Sequence, residues 1–179
     1  MALPSVMHRF KLELSDVETG IYDTVELRIA KHPSESPAFL LTRVFAYLLN
    51  ISANVELSKS GLCAPDEAPL SVKDLTGRTT LWIEVGNPSP ERLHKAAKAA
   101  DRVLVYTYKN PQLLIDAVHK AKVYRSDDIP IVAIEPKFLE DISKVVARNN
   151  HWSVMHSEGI LMVNVGEMSF QGTLEYHHF

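Results

Sequence analysis

A mixed α/β fold, with a central sheet flanked by helices and a β-hairpin added at each end, is predicted for this 179-residue chain by three observations. Strand-like and helix-like runs alternate between residues 78 and 149, the signature of β-α-β units with parallel pairing. Residues 5–30 and 152–165 carry the patterning of hairpins. A composition of 46% hydrophobic and 23% charged residues supports a sizeable core at this length. The expected organisation is one α/β domain over 1–179, with its core at about 31–149 and the hairpins outside it.

The opening strand rests on Val6, His8, Phe10, Leu12 and Leu14, and its partner on Ile21, Val25, Leu27 and Ile29, with turn chemistry at 15–20 between them. Ser34 is the expected cap of a helix with Pro37 in its first turn, and Leu40, Val44, Phe45 and Leu48 mark its buried face. A short strand is expected at 53–59, a loop-rich stretch at 60–77, and a strand near 70–72. The alternating series then runs strand 79–85, helix 90–100, strand 102–108, helix 111–122, strand 131–134 and helix 137–149. A hairpin at 152–155 and 160–165 closes the pattern, and the polar remainder, with His177 and His178, is expected to be a mobile tail.

Composition excludes several function classes. The lone Cys63 cannot form an internal disulfide and is read as a small buried apolar residue. The first sixteen residues are broken by Pro4, His8, Arg9, Lys11 and Glu13, so neither a signal peptide nor a membrane span is expected, and the chain reads as cytoplasmic with no membrane partner. A net charge of −3 argues against non-specific coating of nucleic acid. No glycine-rich phosphate loop, Gly-x-Ser-x-Gly elbow or His-Glu-x-x-His motif can be written.

The informative segment is Leu81-Trp82-Ile83-Glu84-Val85-Gly86. If Leu81, Ile83 and Val85 share one face of a strand, Trp82 and Glu84 share the other, which flanking helices also cover. A carboxylate in so apolar a strand is costly unless it meets a cation, a metal or hydrogen-bond donors. The preceding loop offers Asp66 and Glu67. The following helix, with Ser89 as cap and Pro90 first, offers Lys95 on the face of Glu91, Arg92 and Lys98. Hard oxygen ligands and a lysine are the parts that hold Mg²⁺ or Mn²⁺ and polarise a water for attack on phosphorus. The same residues also allow a plainer reading, in which Glu84 makes a structural ion pair with a basic residue of that helix, such as Lys95, and Asp66 and Glu67 decorate a turn.

Several blocks in order carry a resemblance: His32-Pro33-Ser34-Glu35, Arg43 before an aliphatic run, Gly61-Leu62-Cys63-Ala64 with Asp66-Glu67, Leu81-Trp82-Ile83-Glu84 before Gly86 and Pro88, Arg92 with Lys95, and Thr107-Tyr108. Together they resemble the bacterial YaeQ family, which is similar to the PD-(D/E)xK nuclease superfamily. The resemblance implies a restriction-endonuclease-like core. It implies Glu84 as the strand acid, Asp66 after Pro65 as the second acid with Glu67 its rival, and Glu35 as a helix acid. Two positions after Glu84, where the superfamily has lysine, stands Gly86. Lys95 looks like its migrated replacement.

Residues 88–125 carry a net charge of +5 in an acidic chain, so Arg92, Lys98 and Arg102 are candidate phosphate contacts. Tyr106 and Tyr108 are read as core packing. Two functions are expected from these residues. One is a metal-dependent nuclease with Asp66, Glu84 and Lys95 as its catalytic residues and Glu35, Asp66, Glu67 and Glu84 as metal ligands. The other is a non-catalytic module that binds nucleic acid or, as the resemblance implies, the transcription machinery.

Overall fold

The computed structural model describes residues 4–59 and 66–179. Cys63, Pro65 and the block Gly61-Leu62-Cys63-Ala64 lie outside the described residues. Each α-helix among the described residues opens on a proline, whose fixed φ and missing N–H suit a helix start. They are α1 (Pro37–Leu49), α2 (Pro90–Ala99), α3 (Pro111–Ala121) and α4 (Pro136–Ser143). Side-chain oxygens of Ser36, Ser89 and Asn110 accept the orphan N–H groups of Phe39, Arg92 and Gln112. Ser36, not Ser34, is therefore the cap of α1; Ser34 sits in the preceding turn with its Oγ 2.6 Å from His32 Nδ1.

One ten-stranded mixed sheet runs in the order β2-β1-β8-β9-β10-β7-β6-β5-β4-β3. The hairpin of β1 (Val6–Asp16) and β2 (Ile21–Lys31) is present as expected, and β1 also pairs in parallel with β8 (Asn149–Ser157). The two hairpin additions are thus joined to each other. β8 folds back on β9 (Ile160–Val165), and the chain continues into β10 (Met168–His178). That strand overturns the expected mobile tail. Residues 168–173 of β10 pair with β9 and residues 174–178 with β7 (Pro130–Ile134), so β10 joins the two halves of the sheet.

The other half follows α1 with an antiparallel meander of β3 (Glu56–Leu57), β4 (Leu70–Lys73) and β5 (Thr79–Val85). Helix α2 then crosses to β6 (Arg102–Thr107), parallel to β5, and α3 crosses to β7, parallel to β6. The strand expected at 53–59 is reduced to two residues, because a 3-10 turn at Ile51–Ala53 ends in Asn54 with φ +55. The helix expected at 137–149 stops at Ser143. Asn150 explains the stop: its side chain bonds both backbone groups of Ala147 and the carbonyl of Arg9, turning the chain into register with β1.

The sheet curls around α1 and α4. Inward residues of β1, β2, β5, β8 and β9 share one core with Leu40, Leu41, Val44, Phe45 and Phe138. A second core lies on the other face of β5, β6 and β7, where α2 and α3 cover Trp82, Val103, Val105 and Ile131, and the terminal Phe179 closes it. No helix among the described residues is long and apolar enough to cross a membrane.

Candidate functional site

Strand β5 has both faces covered, which creates the electrostatic problem noted in its sequence. Leu81, Ile83 and Val85 enter the inner core while Trp82 enters the outer one. Glu84, on the face of Trp82, is only 2% exposed. Two donors meet its Oε1: the Trp82 indole Nε1 at 2.7 Å and Arg92 Nε at 2.6 Å. The Arg92 guanidinium also lies 5.9 Å from the Trp82 ring centroid, so indole, carboxylate and guanidinium form one assembly.

Arg92 is the hub of the site. Its Nη2 donates to the backbone carbonyl of Glu67 at 2.8 Å, tying the loop before β4 to the strand acid. One helical turn on, Lys95 Nζ forms an ion pair with Asp66 Oδ1. The structure therefore brings Asp66, Glu67, Glu84, Arg92 and Lys95 together near one end of β5, and Glu84 does pair with a basic residue of the following helix, although that residue is Arg92 rather than Lys95. Glu84 meets Arg92 and Lys95 meets Asp66. Rotation of α2 decides this, since the first turn lies against the strand end and the second against the loop.

Glu35 is the exception among the expected acids. It lies before Ser36 rather than on the helix, and both oxygens are engaged: Oε1 accepts from Arg43 Nη1 at 2.8 Å and Oε2 from the His32 N–H at 2.9 Å. Its partner Arg43 also donates to the Ala30 carbonyl at 3.1 Å. Arg43 borders the cleft that Glu84 borders, so a signal was available in sequence: a single charge inside the apolar run of α1.

That cleft has a volume of about 410 Å³. Phe39, Pro69, Val85, Pro88 and Tyr108 supply apolar walls, and Ser58, Asn87 and Ser89 supply polar ones. Tyr108 is partly buried and packs against the inner core, as expected, while also forming a wall of the cleft, and Tyr106 is buried and accepts from Asn50 Nδ2. Gly86 has φ +88, and a Cβ there would lie 3.4 Å from the Phe39 ring. A lysine at that position would be strained, which is a physical reason for its absence. Lys98 and Arg102 do not join the cleft. Arg102 pairs with Leu81 while Glu84 pairs with Val105, three residues or about 10 Å along the strands.

Burial pushes the Glu84 carboxyl above its ordinary value of 4.5, against the opposing pull of Arg92 and of the Trp82 N–H. A carboxyl raised in the folded state favours folding while protonated; that contribution is complete below about 4.5 and is lost as pH rises through the folded value. Glu84→Gln is therefore expected to gain stability relative to the parent as pH rises from about 4.5 to about 7.5. Melting temperatures of both proteins at the two pH values check this, and a difference independent of pH would contradict it.

The carboxylates are hard oxygen donors suited to Mg²⁺ or Mn²⁺, and both bonds from Trp82 and Arg92 fall on Oε1 of Glu84 rather than Oε2. Of the expected ligands, Glu35 is held by Arg43 and Asp66 by Lys95, and Glu84 meets the two donors on Oε1. Among the described residues, no three acidic, histidine or cysteine side chains are gathered as a metal cluster.

Fold and site together define a mixed α/β protein with a carboxylate and two guanidinium groups in one cleft, at the carboxyl end of a strand in a curled sheet. The family model described as YaeQ protein matches residues 1–174, and the chain belongs to the YaeQ family. The Escherichia coli (strain K12) protein named uncharacterized protein YaeQ is 29% identical over 110 residues, which are 62% of this chain and 60% of that relative. The Salmonella typhi relative of the same name is 26% identical over the same shares. The crystal structure of the YaeQ protein from Pseudomonas syringae superposes with a TM-score of 0.89 at 30% identity, covering 99% of this chain and 98% of that one. The YaeQ protein from Xanthomonas axonopodis pv. citri has a TM-score of 0.87 at 24% identity, covering 97% and 98%, and shares the fold.

Proposed function

We propose that the acids and cations at the end of β5, with the cleft that Glu84 and Arg92 line and Asp66 and Lys95 do not, form a phosphodiester site of PD-(D/E)xK-like kind, acting on nucleic acid in the cytoplasm with Mg²⁺ or Mn²⁺. The observation that carries the reading is the convergence of Asp66, Glu84 and Lys95, through Arg92, at one strand end. The order of elements supports it: helix α1, the antiparallel β3–β4–β5, crossover helix α2 and parallel β6 resemble a restriction-endonuclease-like core. When bound, the cation would acidify a water and neutralise charge on the phosphate. Lys95, held by Asp66, would orient that water and stabilise the charge developing on phosphorus. Arg92 serves as a phosphate contact.

A second reading has an observation of its own. Arg92 Nε sits 2.6 Å from Glu84, so the buried carboxylate already has a cation. That favours a module that kept the fold and binds nucleic acid, or the transcription machinery, without cutting. Calorimetric titration of Mn²⁺ into the parent and Glu84→Ala, followed by cleavage assays on DNA and RNA, separates the two. Saturable binding lost in the mutant together with cutting lost in the mutant is the expected result. Equal cutting by Glu84→Ala overturns the assignment, and metal-independent binding without cutting selects the second reading.

A further inference from the structure

We infer that the cleft receives a single unpaired nucleotide, so that the preferred partner is a single strand or a frayed end rather than continuous duplex; the inference rests on the phosphodiester reading above. Volume is the first argument. At about 410 Å³ the cleft lies in the range of small-molecule sites and has room for one nucleotide.

Wall chemistry is the second argument. A phosphate and its ester oxygens have no apolar face to bury, yet Phe39, Pro69, Val85, Pro88 and Tyr108 line much of the cleft. A base presents two such faces, and inside a duplex both are already stacked. Entry into the cleft therefore requires an unstacked base, which single strands and ends supply at the lowest cost. The two aromatic walls come from different elements, Phe39 from α1 and Tyr108 from the turn after β6, which gives an inserted ring an aromatic neighbour.

Charge placement is the third. Arg92 from α2, its side chain 25% exposed, borders the same space as these walls, so a base held against them would carry its phosphate to that guanidinium; Arg43 also borders the space but is buried against Glu35. Lys109 Nζ lies 4.9 Å from the Tyr108 ring centroid, placing a further cation beside the aromatic wall for the next phosphate. Lys98 and Arg102, the other basic residues expected to face phosphates, lie toward the opposite end of α2 and the start of β6, away from the cleft.

Fluorescence anisotropy with three labelled DNAs tests this: a twelve-nucleotide single strand, the blunt duplex of the same sequence, and that duplex with a three-nucleotide overhang, each in Ca²⁺. The single strand and the overhang are expected to bind about tenfold tighter than the blunt duplex, the range that stacking one base provides. Tyr108→Ala should erase most of that difference and Tyr108→Phe should retain it, with melting temperatures confirming that both variants fold. Equal affinity for all three DNAs in the parent, weakened for all three by Arg92→Ala, would overturn the inference and leave the phosphodiester reading standing. Absence of binding to any of them would overturn both.

Discussion

Arg43→Ala is expected to cost about 3–5 kcal/mol of folding stability, the usual result of removing one partner from a buried ion pair. The Arg43 and Glu35 side chains are 3% and 1% exposed, so neither can turn to water when the other is lost. Without the guanidinium, the Glu35 carboxylate keeps only the His32 N–H, and the Ala30 carbonyl loses a donor as well. At this chain length the change corresponds to a fall in melting temperature of roughly 10 °C. Pairing Arg43→Met with Glu35→Gln should recover part of the loss, because the stranded charge is then absent. Denaturant unfolding of the single and double variants measures both effects. A cost below about 1 kcal/mol for Arg43→Ala would mean that the pair is not the strut that this geometry describes.

Gly172→Ala should be the second large effect. Gly172 lies opposite Leu161 in β10, just before that strand passes from β9 to β7. A Cβ at this position would overlap Phe138 at its own Cβ and Cγ, close to the backbone of α4 where the ring has least freedom to withdraw. Phe138 is 2% exposed and packs 5.5 Å from the Phe45 ring, so displacement would pass into α1. Overpacking of this kind costs about 1–3 kcal/mol. The cause is separable by a double-mutant cycle with Phe138→Leu. If steric overlap is responsible, Gly172→Ala costs clearly less when combined with Phe138→Leu than it does alone. Equal costs in both backgrounds would assign the glycine's role to the backbone instead.

Helices α2 and α3 and strands β5, β6 and β7 were legible in sequence because their signals are local. Proline at the first position, a capping side chain before it and a change of hydrophobic period all lie within a few residues of each boundary. The buried carboxylate was legible for the same reason, since alternation along β5 places Glu84 opposite a core face. The misread regions are those where a distant strand outweighs local preference. Helix-compatible residues after Ser143 turn into β8 because β1, some 140 positions earlier, offers its edge to Asn149 and Asn150. The alternation in β10 is faint because its centre is Gly172, where the side chain is absent to admit Phe138.

The site divides in the same way. Sequence by itself determined which acids and cations are candidates and that Glu84 has to be compensated. Tertiary structure alone decided that Arg92 rather than Lys95 meets Glu84, that Glu35 is spent on Arg43, and that Lys98 and Arg102 lie away from the cleft. Arg92 and Lys95 are three residues apart on one helix face, and periodicity makes them equivalent. What separates them is where α2 lands on β5 and on the loop before β4, a matter of packing between elements far apart in the chain.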